Sequence, residues 1–228
     1  MPTVLVADDQ LLVRAGLCAL LRMAPGVEVV GEACDGEDAL RQAAATTPDV
    51  VLMDIRMPGT DGIQATRRLL ARPAPAPTRV IVLTTFDLDG YVYDALRAGA
   101  SGFLLKETPP ERLIAAIHTV AAGDMLFAPS VTRRLIEAYA PPGLPAGDLP
   151  PAWHAVTNRE REVLLQVASG RTNGEIAERL VLSEATIKTH LNRVMGKLGL
   201  SSRAQAVVFA YESGLVVPGH TTAEHRDH

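Results

Sequence analysis

Short apolar runs recur along the first half of the chain, each cut off by a polar or Gly-Pro break and followed by a stretch with helical spacing. Val50-Val51-Leu52-Met53 is apolar at every position and stops on Asp54, with Pro58-Gly59 opening the loop beyond. A run without alternation reads as a strand buried on both faces, as in the middle of a parallel sheet. Residues 3–7, 28–33, 79–83 and 102–105 read as four further strands. Between them, residues 11–23 show helical spacing through Leu12, Ala15, Ala19 and Arg22, and Pro25-Gly26 ends that helix. Asp35-Gly36 turns the chain into a helix over 37–46, and Asp61 caps one running to about residue 71, where Pro73, Pro75 and Pro77 follow. A fourth helix, 88–98, stops at Gly99, and Pro110 opens a fifth that runs to about residue 122. Five βα units in regular alternation predict an α/β domain, a five-stranded parallel sheet with helices on both faces.

The pattern then changes. Residues 130–140 read as a short helix. Pro141, Pro142, Pro145, Pro150 and Pro151 make the next segment a semi-rigid spacer that lets two domains move. Beyond it the period is helical throughout. Thr157 with Glu160, Thr172 with Glu175 and Ser202 with Gln205 have the spacing of capping boxes, and Ser183 supplies a fourth N-cap. The helices are expected at about 158–168, 173–180, 184–197 and 203–213, with stops at Gly170 and Gly199. Only Val181-Leu182 and the Ser183 cap separate the second from the third, the length of a helix-turn-helix corner. The second domain is therefore an all-α, four-helix unit.

Composition sharpens this division. A length of 228 residues fits one large or two ordinary domains. The net charge of −4 divides into −4 for residues 1–137, −1 for the linker, +2 for residues 152–213 and −1 for the tail, so the halves suit different partners. No apolar run is long enough to span a bilayer, and Met1-Pro2-Thr3 leads straight into a strand, so no membrane partner and a cytoplasmic location are expected. Cys18 and Cys34 sit in apolar segments and read as buried free thiols. The polar tail from Pro218 reads as disordered, with no metal assigned to His220, His225 or His228.

The chemistry sits at strand ends. Asp8-Asp9, Asp54, Thr84 and Lys106 each follow a strand, and ligands of open parallel sheets bind outside that edge. Taken singly, each has an ordinary reading. Asp54 can cap a turn, Asp8-Asp9 can be a solvated pair, Thr84 can end a strand, and Lys106 can be a surface lysine. Together at one edge, a carboxylate cluster, a hydroxyl and an ammonium form a phosphoryl-transfer site without a Gly-rich loop, with Asp54 as nucleophile. In the second half, Ile187, Leu191, Val194 and Leu198 form the inward face of the third helix. Lys188, Thr189, Asn192 and Arg193 point elsewhere, mixing charge with hydrogen-bonding groups as a major-groove reader requires. A solvated helix face has the same composition.

Residues 1–125 resemble the receiver domain of two-component response regulators, with the five strand-end positions matched in order. The resemblance implies a flavodoxin-like fold and phosphoryl transfer from a sensor histidine kinase to Asp54. Mg²⁺ would be held by Asp9, Asp54 and the backbone carbonyl of Arg56, with Asp8 acting partly through water. Thr84 and Lys106 would bind the phosphoryl group, and Phe103 would turn inward behind Thr84. Glu107 departs from the proline found in many receivers. Thr157-x-Arg159-Glu160-x-Glu162-Val163-Leu164, Asn173-x-Glu175-Ile176-Ala177, Thr186-Ile187-Lys188-Thr189-His190 and Lys197-Leu198-Gly199 resemble the LuxR-type DNA-binding domain, over residues 155–213. Val156, Gly174 and Met195-Gly196 depart modestly from it. Joined, the two domains resemble the NarL/FixJ family of transcription regulators. That architecture implies binding to a pseudo-palindrome in double-stranded DNA through Thr186, Lys188, Thr189, His190, Asn192, Arg193 and Lys197. It also implies contact with RNA polymerase and a homodimer on activation, with Ala206, Val207 and Ala210 pairing two DNA-binding domains. Residues 126–154 would be helix and linker, and 214–228 a tail. A phosphohydrolase with an aspartyl nucleophile is the rival. Such enzymes commonly carry an acid two positions after the nucleophile, where this chain has Arg56, and the rival leaves the helix-turn-helix unexplained. Control by a ligand or partner without phosphate is the third reading, disfavoured by the intact strand-end set.

Overall fold

The computed structural model describes residues 1–71, 78–84, 91–123, 125–126, 132 and 149–216. All of the expected helix at 130–140 but residue 132, the first residues of the helix expected at 88–98, most of the Pro-rich spacer and the tail histidines lie outside the described residues. Contacts divide the chain into two units, Met1–Phe127 and Ala128–His228.

In the first unit, strands β1 (Thr3–Ala7), β2 (Glu28–Ala33), β3 (Val50–Asp54), β4 (Arg79–Thr84) and β5 (Gly102–Leu105) form one parallel sheet in the order β2-β1-β3-β4-β5. Helices α1 (Leu11–Met23), α2 (Gly36–Thr46), α3 (Gly62–Leu70), α4 (Tyr91–Ala98) and α5 (Pro110–Ala121) follow the strands in turn. The unbroken apolarity of β3 has its expected cause, since all five of its residues are buried. Val50 and Leu52 join a core with Leu21 of α1 and Ile117 of α5, while Val51 and Met53 join one with Ala43, Ala65 and Ala95 of α2 to α4. Alternate side chains thus enter opposite layers, which only a sheet covered on both faces requires.

Two expectations are corrected here. Leu12, Ala15, Ala19 and Arg22 do lie on one face of α1, but it is the exposed face; Cys18 and Leu21 are the buried positions. The real stripe is offset around the helix and is interrupted by Arg14, which hid it. Cys34 is exposed beside Asp35 and Asp38, and only Cys18 is buried; both thiols are free.

In the second unit, Pro151–Ala155 makes a turn of 3₁₀ helix before α6 (Asn158–Ala168), α7 (Asn173–Leu180), α8 (Glu184–Leu198) and α9 (Arg203–Glu212). The Thr157/Glu160 and Thr172/Glu175 capping boxes close reciprocally. The third does not. Ser202 accepts from the Gln205 N–H, but Gln205 Oε1 accepts from the Ser201 N–H at 2.7 Å, one residue too early. Trp153 is buried, its ring 6.1 Å from Phe209 and under the Arg161 guanidinium at 4.9 Å. Val181 turns the chain from α7 to α8 in the left-handed region (φ 53°), a conformation costly for a β-branched residue.

Ala206, Val207 and Ala210 of α9 are buried against their own domain, chiefly facing α6. These three side chains are thus core positions of their own domain, and pairing of two domains by this helix would use its half-buried positions, such as Gln205, Phe209 and Glu212.

Candidate functional site

Strand pairing sets the site. Ala7 lies opposite Met53, Asp54 opposite Leu83, and Thr84 opposite Leu105, so the residues ending β1, β3, β4 and β5 emerge at one sheet edge. The Lys106 N–H donates to the Thr84 carbonyl at 2.8 Å, and the Asp8 N–H to the Ala33 carbonyl at 3.1 Å, extending the ladder one residue past the strands. The side chains converge accordingly. Lys106 Nζ lies 2.7 Å from Asp8 Oδ2 and 2.9 Å from Asp54 Oδ2. Asp8, Asp54 and Thr84 are buried, whereas Asp9 is exposed. A cavity of about 240 Å³ opens over them, lined by Asp9, Gln10, Asp54, Ile55, Arg56, Thr84, Tyr91 and Lys106.

Electrostatics follow from this geometry. Burial pushes the Asp54 carboxyl above its usual range, and hydrogen bonding to Lys106 opposes the shift without cancelling it. Burial also works against the Lys106 charge, but hydrogen bonding to Asp8 and Asp54 outweighs it and raises the lysine. One ammonium thus faces three carboxylates. Carboxylate oxygens of Asp8, Asp9 and Asp54 lie within 4.8 Å of one another, and Lys106 is the one cation paired with buried Asp8 Oδ2 among the described residues. Surplus negative charge and an all-oxygen donor set fit a hard divalent cation.

Gly62 makes the site possible from below. A Cβ there would lie 1.8 Å from the Asp54 carbonyl oxygen, so only glycine lets α3 start this close to the end of β3. Sequence reasoning did not single out Gly62, Gln10 or Tyr91. The Asp61-Gly62 pair and the place of Gln10 after Asp8-Asp9 are local signals; Tyr91 arrives through tertiary folding and has none. Phe103 is half-buried and borders a small gap with Thr84, Tyr91, Val92 and Ala95.

On α8, Ile187, Leu191 and Val194 are buried, and Lys188, Thr189, Asn192 and Arg193 are exposed together. The Thr189 hydroxyl donates to the Ala185 carbonyl at 2.9 Å, leaving its lone pairs outward. Thr186 is half-buried and engaged with the Ser183 cap, and His190 is half-buried. Lys197 has another use: its ammonium lies 2.6 Å from Glu160 Oε2 and 2.8 Å from the Ala155 carbonyl. Arg203 is similarly tied to Asn173 Oδ1 and the Arg171 carbonyl.

Known proteins share both halves. Residues 4–118 match the response regulator receiver domain, and residues 154–210 the bacterial regulatory proteins of the luxR family. The uncharacterized transcriptional regulatory protein YxjL of Bacillus subtilis is 43% identical over 93% of this chain and 96% of its own. The nitrate/nitrite response regulator protein NarL of Escherichia coli is 35% identical over 92% of this chain and 95% of its own. A crystal form of the RcsB response regulator of Salmonella typhimurium is 27% identical with a TM-score of 0.51, covering 90% of this chain and 96% of that one. The family is one of DNA-binding transcription regulators, not enzymes. With a receiver sheet, a LuxR-type helix-turn-helix and relatives aligned across both, the chain belongs to the NarL/FixJ family of two-component response regulators.

Proposed function

We propose that Asp54 accepts a phosphoryl group from a sensor histidine kinase and that its phosphorylation controls binding of promoter DNA by α8. The observation that carries this is the buried Asp54 carboxylate beneath an open cavity, 2.9 Å from Lys106 and clustered with Asp8 and Asp9. An Asp54 oxygen forms the new P–O bond. The P–N bond to the kinase imidazole breaks, and the imidazole nitrogen keeps the electron pair and takes up a proton. Lys106 then donates to a phosphoryl oxygen, as does the Thr84 hydroxyl. Mg²⁺ fits Asp9, Asp54 and the Arg56 carbonyl, with Asp8 beside them; when bound it neutralises phosphoryl charge. Movement of Thr84 toward the phosphoryl group opens the gap in which Phe103 turns, biasing the surface of α4 and β5.

On DNA, Lys188, Thr189 and Asn192 face base edges and Arg193 a phosphate, flanked by Thr186 and His190. One α8 covers a short half-site, so tight binding uses a homodimer on a pseudo-palindrome, and RNA polymerase is the downstream partner. No helix among the described residues is long and apolar enough to cross a membrane, in keeping with a cytoplasmic role. Asp54→Asn keeps the shape and removes the nucleophile. Acid-labile labelling by acetyl phosphate in Mg²⁺ should vanish; undiminished labelling refutes the assignment.

A further inference from the structure

The turn joining β1 to α1 carries the acidic pair, and its anchoring is unusual. Gln10, the N-cap of α1, makes no side-chain cap, and the first turn of the helix holds no acidic residue. At its end stands Arg14, a cation on the side of the helix where the dipole disfavours one. The guanidinium does not point to water. Its side chain is 13% exposed, and Nη1 donates to the backbone carbonyl of Asp8 at 2.6 Å. Its Nε lies 4.0 Å from Glu32 Oε2 on β2, and Glu32 is held in turn by Arg22 at 2.8 Å.

Besides the Lys106 ammonium on its Oδ2, Asp8 is held at three further points. Its N–H donates to the Ala33 carbonyl at 3.1 Å, its Oδ1 accepts from the Gln10 N–H at 2.9 Å, and its carbonyl accepts from Arg14. The peptide that begins at this carbonyl is the one that carries Asp9, the exposed member of the carboxylate cluster. Arg14 bonds the backbone and leaves the carboxylates alone, while Glu32 balances its charge. It can order the acidic pair without neutralising it.

We propose that Arg14 is a positioning residue for the divalent cation, holding the Asp8–Asp9 peptide so that the Asp9 carboxylate remains beside Asp54. The inference rests on the reading of Asp8, Asp9 and Asp54 as the cation site. A group that orients a ligand without touching the metal typically changes affinity by about 10- to 100-fold when lost.

Calorimetric titration of the full chain with MgCl₂ tests it. Arg14→Met should weaken Mg²⁺ binding by about tenfold, while melting in EDTA stays near that of the parent. Arg14→Lys, which keeps a donor for the Asp8 carbonyl but loses the fork toward Glu32, should recover part of the affinity. Labelling by acetyl phosphate should show the same split: a raised Mg²⁺ requirement, with the parent rate regained at saturating Mg²⁺. Parent-like Mg²⁺ affinity in Arg14→Met overturns the inference, as does a loss of melting temperature in EDTA with affinity unchanged. Should Arg14→Met fail to fold, Arg14→Lys decides alone, and parent-like affinity there is the overturning result. If the parent chain itself takes up no Mg²⁺, the cation site is wrong and the role of Arg14 falls with it.

Discussion

Lys106 in the α/β unit and Lys197 in the helical unit each hold a buried carboxylate at hydrogen-bonding distance. Lys106 stands between Asp8 and Asp54 at 2.7 and 2.9 Å, with Asp9 close by and a cavity above. Lys197 has one acid, Glu160, at 2.6 Å, and spends another hydrogen bond on the Ala155 carbonyl. Glu160 is itself completed by the Thr157 N–H at 2.8 Å, the return half of the α6 capping box. The first arrangement has more anions than cations and faces open space. The second is balanced, joining the 3₁₀ turn, α6 and α8 while Lys197 stays partly exposed. The same ion pair therefore means different things: surplus charge beside a cavity marks a place for a ligand, and saturated charge marks a clasp.

Removing each ammonium should expose the difference. Lys106→Met leaves two buried carboxylates facing each other and should cost about 3 kcal/mol in EDTA. Mg²⁺ should restore much of that, because a cation held at Asp9 and Asp54 also offsets the charge of Asp8 beside them. Lys197→Met should cost about 2 kcal/mol by leaving Glu160 without its counter-charge, and Mg²⁺ should change nothing. Urea melts with and without Mg²⁺ measure both. Trp153, the chain's single tryptophan, reports the helical unit by fluorescence, and circular dichroism follows the whole chain. Equal rescue of the two variants by Mg²⁺ would break the comparison.

DNA binding sharpens it further. If Lys197 is a clasp and Arg193 a phosphate contact, Arg193→Gln should reduce the slope of log affinity against log salt by about one. Lys197→Met should leave the slope as it was. A slope that falls by the same amount in both returns Lys197 to the DNA surface.

Acid should attack the clasp. Burial works to raise the Glu160 carboxyl, but the Lys197 hydrogen bond and the Thr157 N–H outweigh it, so the folded value lies below the ordinary 4.5. A depressed acid stabilises the fold above its unfolded pKa and loses that contribution as pH falls through the folded one. The Trp153-monitored urea midpoint should therefore fall below about pH 4.5, and Glu160→Gln should make that fall shallower. An identical pH profile in the variant would show that the clasp carries no charge-dependent stability.

Legibility in the sequence divides along the same line. β3 and the strand-end set Asp8, Asp9, Asp54, Thr84 and Lys106 were readable because strand polarity alone sends those positions to one edge. The α7–α8 corner was readable because caps are local and Thr172, Glu175 and Ser183 act on their own helix starts. What stayed hidden is tertiary. Nothing local says that Lys197 and Arg203 also bond Glu160 and Asn173, far away in the chain. The small residues of α9 are buried in their own domain, and a stripe of Ala and Val looks alike whether it faces a neighbouring helix or a second molecule. Arg14 both blurred the inward stripe of α1 and went unnoticed, because its partner is a backbone carbonyl.

The smallest expected effect asks whether the end of α8 is held by the clasp or by the helix itself. Gly196 sits in that last turn beside Lys197, and a Cβ there would meet nothing within 4 Å. Gly196→Ala should therefore gain about 0.5–1 kcal/mol by removing backbone freedom from the unfolded chain. Clasp and helix are separable if the gain is the same in the Lys197→Met background, since independent contributions add. A larger gain there would mean that Lys197 already supplies the order that glycine withholds. Urea midpoints of the four chains, followed at Trp153, close the cycle. Additivity keeps Lys197 as a bolt between helices, and strong coupling makes it a brace for the DNA-reading helix.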